Sequence, residues 1–274
     1  MQSHYGGKIA MSDILIIPDV HGRAFWKAPV ESEEFEHIVF LGDYLDPYPQ
    51  EGITQRQAFE NFKAIVELKQ SAPEKVTLLL GNHDMHYYSQ HYCRIAPKSR
   101  YNSSHAWKYK QFFAEHRSLF TLAYEIKASD KRYLFTHAGI TKEWYDRHHT
   151  LIGDCSADNL QSLLHAPNGL EALAEFGAER GGHDRWGSMI WADVAEMELT
   201  EPLSGTYQIF GHTLDCEPII TNDWACLDCA QAFVLDTDAG TLTTWEKLED
   251  MTPEQLYGVI EQDIERIYND EEKL

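Results

Sequence analysis

Ile14-Leu15-Ile16-Ile17-Pro18-Asp19-Val20-His21-Gly22 is the stretch that decides how this chain folds. Four aliphatic residues in a row are too few for a buried helix and suit a strand covered on both faces. Proline ends the run, and an acid, an imidazole and a glycine follow at once. The pattern recurs along the chain. Ile38-Val39-Phe40-Leu41 leads into Gly42-Asp43-Tyr44-Leu45-Asp46, and Val76-Thr77-Leu78-Leu79-Leu80 leads into Gly81-Asn82-His83-Asp84. Tyr133-Leu134-Phe135 runs into Thr136-His137-Ala138-Gly139, and Tyr207-Gln208-Ile209-Phe210 into Gly211-His212-Thr213. Each predicted strand delivers Asp, Asn or His at its carboxyl end, where open α/β sheets bind their ligands. The neighbouring glycines allow the tight turns that such loops need.

Helical patterns lie between and after these strands. Thr54-Gln55-Arg56-Gln57 has capping-box spacing and opens a helix predicted to run to Lys69, with Phe59, Phe62, Ile65, Val66 and Leu68 near helical period. Thr252-Pro253-Glu254-Gln255 repeats the start signal and predicts a C-terminal helix over about 252–269. Strand-like alternation appears at Ala232–Leu235 and Leu242–Trp245, while 86–120 and 142–180 are expected as helical or mixed insertions. The whole reads as a single α/β domain over 1–274, with a layered core over about 13–246.

Composition narrows the function classes. Lys and Arg number 23 against 44 for Asp and Glu, a net charge of −21, and no local basic patch offsets it. Binding to a nucleic-acid backbone is therefore not expected. No apolar stretch is long enough to span a bilayer, and Met1–Ala10 lacks the apolar core of a signal peptide. Met11 is an alternative start, and a cytoplasmic location is expected. Five scattered cysteines suit reduced thiols better than a disulfide framework. Cys226 and Cys229 have C-x-x-C spacing, but no second pair exists to complete a zinc site, so a structural role is expected.

Carboxylate, amide and imidazole ligands without thiolate suit divalent ions such as manganese, iron or zinc. The set is too large for one ion with an open position and sufficient for two ions that share a carboxylate. Two ions about 3.5–4 Å apart activate water and neutralise charge on a phosphoryl group.

These motifs, in this order and across about residues 13–236, resemble those of the calcineurin-like metallophosphoesterases. Asp-x-His-Gly and His-Ala-Gly are more narrowly similar to the phosphoprotein-phosphatase branch, which includes diadenosine tetraphosphatases. The resemblance implies a two-sheet β-sandwich flanked by helices, with a dinuclear metal site at the strand ends. It implies that Asp19, His21 and Asp43 hold a first metal, and that Asp43 bridges to a second completed by Asn82, His137 and His212. It implies His83 as the general acid, oriented by Asp46 or by Asp84, and a metal-bridging water as nucleophile. The expected reaction is hydrolysis of a phosphomonoester, with manganese preferred over iron or zinc. Cleavage of a dinucleoside polyphosphate or a phosphodiester is the enzymatic alternative, and a non-catalytic binding module on the same scaffold the distant one. Expected substrates are phosphorylated small molecules, nucleotides or phosphoproteins, and the oligomeric state stays open.

The chain departs from that branch where substrate is gripped. Asp46 is followed by Pro47-Tyr48-Pro49 instead of Arg-Gly, Leu214 stands where the wider superfamily often has a histidine, and no Arg or Lys lies between Trp191-Ala192-Asp193 and His212. Phosphate needs a cationic grip beyond the metals. Arg180 and Arg185 are the first candidates, Arg94 and Arg100 the second. The aromatic insertion holding Tyr87, Tyr88, Tyr92, Tyr101, Trp107 and Tyr109 is expected to bury its rings as a cap, with nucleobase stacking the other reading.

Overall fold

The computed structural model describes residues 13–32, 35–128 and 131–245. In chain order the elements are β1 (Asp13–Ile17), α1 (Lys27–Ser32), β2 (His37–Phe40), α2 (Gln55–Ser71), β3 (Val76–Leu79), α3 (Asn82–Tyr88), α4 (Tyr92–Ile95), α5 (Ala106–Glu115), β4 (Phe120–Thr121), β5 (Tyr124–Ala128) and β6 (Lys131–Phe135). Then come α6 (Lys142–Ile152), α7 (Ala157–Ser162), α8 (Gly169–Leu173), α9 (Val194–Leu199), β7 (Thr206–Phe210), β8 (Ile219–Ile220), β9 (Trp224–Cys226), β10 (Phe233–Asp236) and β11 (Thr241–Thr244). The helix expected over 252–269 lies outside the described residues.

The strands form two sheets, ordered β11-β10-β1-β2-β3-β4 and β5-β6-β7-β9-β8. Strands β1, β2, β3 and β4 run parallel in the first, and β6, β7 and β9 run parallel in the second. The two-residue alternation of strand side chains explains how the sheets stack. Ile14 and Ile16 of β1, with Val39, Leu41 and Leu79, meet Tyr133, Phe135, Ile209 and Ala225 of the other sheet in one buried cluster. Leu15, Ile17, Ile38, Phe40 and Leu78 point the opposite way and pack with Phe59, Phe62, Ile65 and Val66 of α2. On the outer face of the second sheet, Phe210, Trp224 and Cys226 pack with Met197 of α9. The order is helices, sheet, sheet, helices.

Helix α2 begins as its sequence predicts. Thr54 Oγ1 accepts from the Gln57 amide, and the Thr54 amide donates to Gln57 Oε1 at 2.9 Å. The 86–120 insertion holds the end of α3 with α4 and α5, and it does bury most of its aromatic rings. Tyr87, Tyr88, Tyr92 and Tyr109 are buried, and Tyr87 stacks on Tyr101 with centroids 5.3 Å apart. Trp107 is the exception at 70% exposure. Three short strands, β4, β5 and β8, were not expected from apolar runs. They lie at or beside sheet edges, where half-buried residues carry a weak sequence signal.

Candidate metal centre

The carboxyl ends of β1, β2 and β3 in one sheet and of β6 and β7 in the other open onto the same place. Backbone hydrogen bonds lace the loops together. The amides of His21 and Gly22 donate to the carbonyls of Asp43 (2.7 Å) and Tyr44 (3.0 Å), and the Gly211 amide donates to the His137 carbonyl at 2.7 Å. Four residues of these loops adopt left-handed backbone: His21 (φ 44°), Asp43 (φ 53°), Asp46 (φ 59°) and His212 (φ 70°). Such conformations each cost on the order of 1–3 kcal/mol and persist where the surroundings impose them.

Asp19 and Asp43 each spend one oxygen on a backbone amide. Asp19 Oδ1 accepts from the His212 amide at 2.9 Å, and Asp43 Oδ1 accepts from the His83 amide at 3.0 Å. The remaining oxygens face the histidines. Asp43 Oδ2 lies 3.6 Å from Nε2 of His21 and 3.6 Å from Nε2 of His137; Asp19 Oδ2 lies 4.0 Å from each. Two glycines make room for this. A Cβ on Gly81 would come within 2.0 Å of Asp43 Oδ1, and one on Gly211 within 2.2 Å of Asp19 Oδ1.

The histidines are oriented by the same logic. His21 Nδ1 lies 2.8 Å from the Leu45 carbonyl and His137 Nδ1 2.9 Å from the Leu41 carbonyl. A carbonyl only accepts, so both rings carry their proton on Nδ1 and turn a bare Nε2 lone pair inward. His137 Nε2 then faces Asn82 Oδ1 and His212 Nδ1, both at 3.1 Å. His212 Nε2 is buried without a hydrogen-bond partner among the described residues. Lone pairs of nitrogen and oxygen converging in a buried pocket repel one another unless a cation lies between them. His21, Asp43 and His83 form one group of convergent ligand atoms, and Asp43, His137 and His212 form another, so Asp43 is common to both. The donor set fits two divalent ions with a shared carboxylate.

Electrostatics agree with that fit. Burial, then repulsion from Asp19, pushes the Asp43 carboxyl well above the usual range. Burial likewise drives His21 and His212 well below the usual imidazole range, helped by Arg100 beside His21 and by Arg180 beside His212. The pocket thus favours neutral imidazoles, the form that ligates metal.

His83 differs in its partner. Its Nδ1 lies 3.1 Å from Asp46 Oδ2, and Asp46 Oδ1 accepts the Tyr87 hydroxyl at 2.6 Å. Burial raises the Asp46 carboxyl to about 7, while the Tyr87 hydrogen bond and Arg100 oppose the rise. Asp84, the other expected orienter, is used elsewhere. Its Oδ2 accepts from the amides of Asp43 (2.7 Å) and Gly81 (2.9 Å), and its Oδ1 accepts from Tyr44 (3.1 Å). It sits in the first turn of α3 and reaches back to the amides, so it supports the loops and leaves His83 to Asp46.

The candidate phosphate-binding arginines separate. Arg180 donates to Thr213 Oγ1 at 2.7 Å and to the His212 carbonyl at 3.4 Å, and pairs with Asp193 at 2.7 Å. It flanks the second group of ligands. Arg185 is exposed and lies 5.4 Å from the Trp186 ring, and Arg94 is also exposed. Arg100 reaches the centre from the insertion: its Nη2 lies 3.1 Å from His21 Nε2. Tyr87 and Asp228 are site-side residues that sequence reasoning did not assign there. Asp228 is buried, its Oδ1 lacks a hydrogen-bond partner among the described residues, and burial and Asp19 raise its carboxyl. A lone acid in the apolar Trp224–Cys229 run was the available signal. Cys226 and Cys229 are buried free thiols whose ionisation burial suppresses, in keeping with a structural role.

The family model of calcineurin-like phosphoesterases matches residues 12–216. The fold is similar to that of a serine/threonine protein phosphatase from Saccharomyces cerevisiae, with a TM-score of 0.52 and 14% identity over 87% of this chain and 81% of that one. A metallophosphoesterase from Sphaerobacter thermophilus also aligns, with a TM-score of 0.45 and 16% identity over 94% of this chain and 99% of that one.

Proposed function

From the premise that the chain belongs to the calcineurin-like phosphoesterase family, we propose that this phosphoesterase hydrolyses a phosphomonoester with two divalent ions, manganese foremost. The observation that carries this reading is the placement of Asp43 Oδ2, 3.6 Å from both inward-facing imidazole nitrogens. Asp19, His21 and Asp43 would hold the first ion; Asp43, Asn82, His137 and His212 would hold the second. Bound ions supply an activated water and positive charge for the phosphoryl oxygens.

The protein's own groups do the rest. Asp46 fixes the His83 ring with its proton on Nδ1, which leaves Nε2 to carry the proton that the departing alkoxide needs. Tyr87 holds the second oxygen of Asp46, so the carboxylate cannot rotate away from the imidazole. Leu45 and Leu41 fix the ligand tautomers of His21 and His137 through their carbonyls. The substrate would be a phosphorylated small molecule, nucleotide or phosphoprotein met in the cytoplasm.

Turnover of 4-nitrophenyl phosphate, bis(4-nitrophenyl) phosphate and a dinucleoside tetraphosphate, each with added manganese, tests the reading. Preferred cleavage of the monoester supports it. Cleavage of only the other two overturns it in favour of a phosphodiesterase or dinucleoside polyphosphate hydrolase. Failure of the protein to take up manganese overturns it in favour of a binding module.

A further inference from the structure

A phosphate ligand calls for a protein cation besides the ions, and from Trp191-Ala192-Asp193 to His212 the chain has no Arg or Lys to give one. Arg23, Arg100 and Arg180 come near the candidate ligands from other segments, and they are engaged differently. Arg23 sends Nε (3.0 Å) and Nη2 (2.7 Å) to Glu51 Oε1, and Nη1 to the Asp19 carbonyl (3.2 Å), which engages all three of its nitrogens. Arg100 places Nη2 3.1 Å from His21 Nε2, the lone pair that the first ion would take. Arg180 meets its ligand residue, His212, at the backbone carbonyl, 3.4 Å from Nη2, which leaves the ring nitrogens to the second ion.

The mooring of Arg180 is built from separate segments. The residue ends a single helical turn, Ala178–Arg180, in which the amides of Arg180 and Gly182 donate to the Gly177 carbonyl at 3.0 and 2.9 Å. Its Nε lies 2.7 Å from Asp193 Oδ2, while the other oxygen of Asp193 accepts from the Ala195 amide at 2.9 Å and caps α9. Its Nη2 donates to Thr213 Oγ1 at 2.7 Å, and that oxygen also accepts from the Val194 amide at 3.1 Å. A guanidinium carries five N–H donors in a fixed fork, and these contacts use those of Nε and Nη2. The two on Nη1 have no hydrogen-bond partner among the described residues, and the side chain is 23% exposed. The segment that holds Arg180 also borders the second ligand group, since the Trp191 ring meets the His212 ring edge-on with centroids 5.8 Å apart. Asp193 thus recruits, from upstream, the arginine that its own segment lacks.

Resting on the functional reading above, we infer that Arg180 grips a phosphoryl oxygen of the substrate on the His212 side of the metal centre, through the Nη1 donors that its mooring leaves over. A guanidinium already fixed by Asp193 and Thr213 loses little rotamer freedom when an anion arrives, and its charge does not titrate.

The test is calorimetric titration of manganese-loaded protein with inorganic phosphate, alongside a manganese count and steady-state kinetics on 4-nitrophenyl phosphate. Arg180→Ala should weaken phosphate binding about 10- to 100-fold, the range of a charge-assisted hydrogen-bond pair. The manganese count should stay at the wild-type value. KM for the monoester should rise by a similar factor, with kcat changing less. Arg180→Lys, which keeps the charge but loses the fork, should fall between, and it serves if the alanine variant does not fold. Arg147→Ala, at an exposed pair with Glu175, should change none of these. Wild-type phosphate affinity in a metal-loaded Arg180→Ala protein overturns the inference, as does a metal-loaded wild type that binds no phosphate. Loss of manganese in step with phosphate also overturns it, because Arg180 would then only support the His212 loop. Were the wild type to bind manganese and phosphate yet cleave no monoester, the functional reading would fail while the phosphate titration still decided the role of Arg180.

Discussion

His83, in the first turn of α3 after β3, and Asp46, in the loop after β2, are joined across 3.1 Å, from imidazole Nδ1 to carboxylate Oδ2. The pair fixes one tautomer and one ring orientation. That is what a proton donor to a leaving group requires, and a ligand nitrogen could be fixed the same way. The two roles make different predictions.

His83→Ala should keep its metal and lose about 10²–10⁴ in kcat on poor leaving groups. The loss should shrink for 4-nitrophenyl phosphate, whose leaving group needs little protonation. Parallel kcat measurements on phenyl and 4-nitrophenyl esters, with metal content measured on the same samples, check this. Loss of metal from the variant would show that His83 is a ligand instead.

Asp46→Asn should lower kcat by about 10² or more, because the amide permits the other tautomer of His83. KM and metal content should change little. Tyr87→Phe, which removes a single hydrogen bond to the same carboxylate, should have the same signature at roughly a tenth of the effect or less. An unchanged kcat for Asp46→Asn would remove the orienting role.

Asp84→Ala should act on the fold. Three buried amides, those of Asp43, Tyr44 and Gly81, lose their acceptor, and each orphaned group costs about 1–3 kcal/mol. Urea unfolding should show a loss of about 3 kcal/mol or more, with metal affinity falling alongside. Full stability with reduced kcat would restore Asp84 as a partner of His83.

Glu196 predicts a pH dependence away from the metal centre. It is buried, its Oε2 accepts from the Gly187 amide at 2.6 Å, and its Oε1 has no hydrogen-bond partner among the described residues. Burial raises its carboxyl to about 7 from an ordinary value of 4.5. The folded state therefore holds the proton more tightly than the unfolded chain. The stability that this contributes is complete below pH 4.5 and is lost as pH rises through about 7. Glu196→Gln should match wild type in melting temperature at acidic pH and exceed it at pH about 8, with a flatter profile. A wild-type advantage at alkaline pH would contradict this.

Much of the architecture was legible because the strands that build the centre are short apolar runs with a ligand and a glycine at one end. Ile14–Ile17 and Ile38–Leu41 are the clearest cases, and the alternate residues within each were recovered on opposite faces. The convergence of the candidate ligands was legible for the same reason, since each of them follows a strand. What sequence spacing could not decide was non-local. Asp84 is adjacent to His83 in the chain and Asp46 lies 37 residues away, yet the start of α3 turns Asp84 toward the amides and the ring meets Asp46. Arg185 lies nearer than Arg100 to the Trp-Ala-Asp segment in sequence, yet the path of the insertion brings Arg100 to His21. Tyr87 read as one more ring in an aromatic cap, although its hydroxyl finds Asp46.

Asp43 is placed to serve two ions at once. The most direct measurement is a count of manganese per chain after equilibration and gel filtration, on wild type and on Asp43→Asn, with monoester turnover on the same samples. Two ions in the wild type, with loss of at least one ion and of activity in the variant, are the predicted result. A wild type that binds a single ion, or an Asp43→Asn protein that keeps two ions and full turnover, would contradict it.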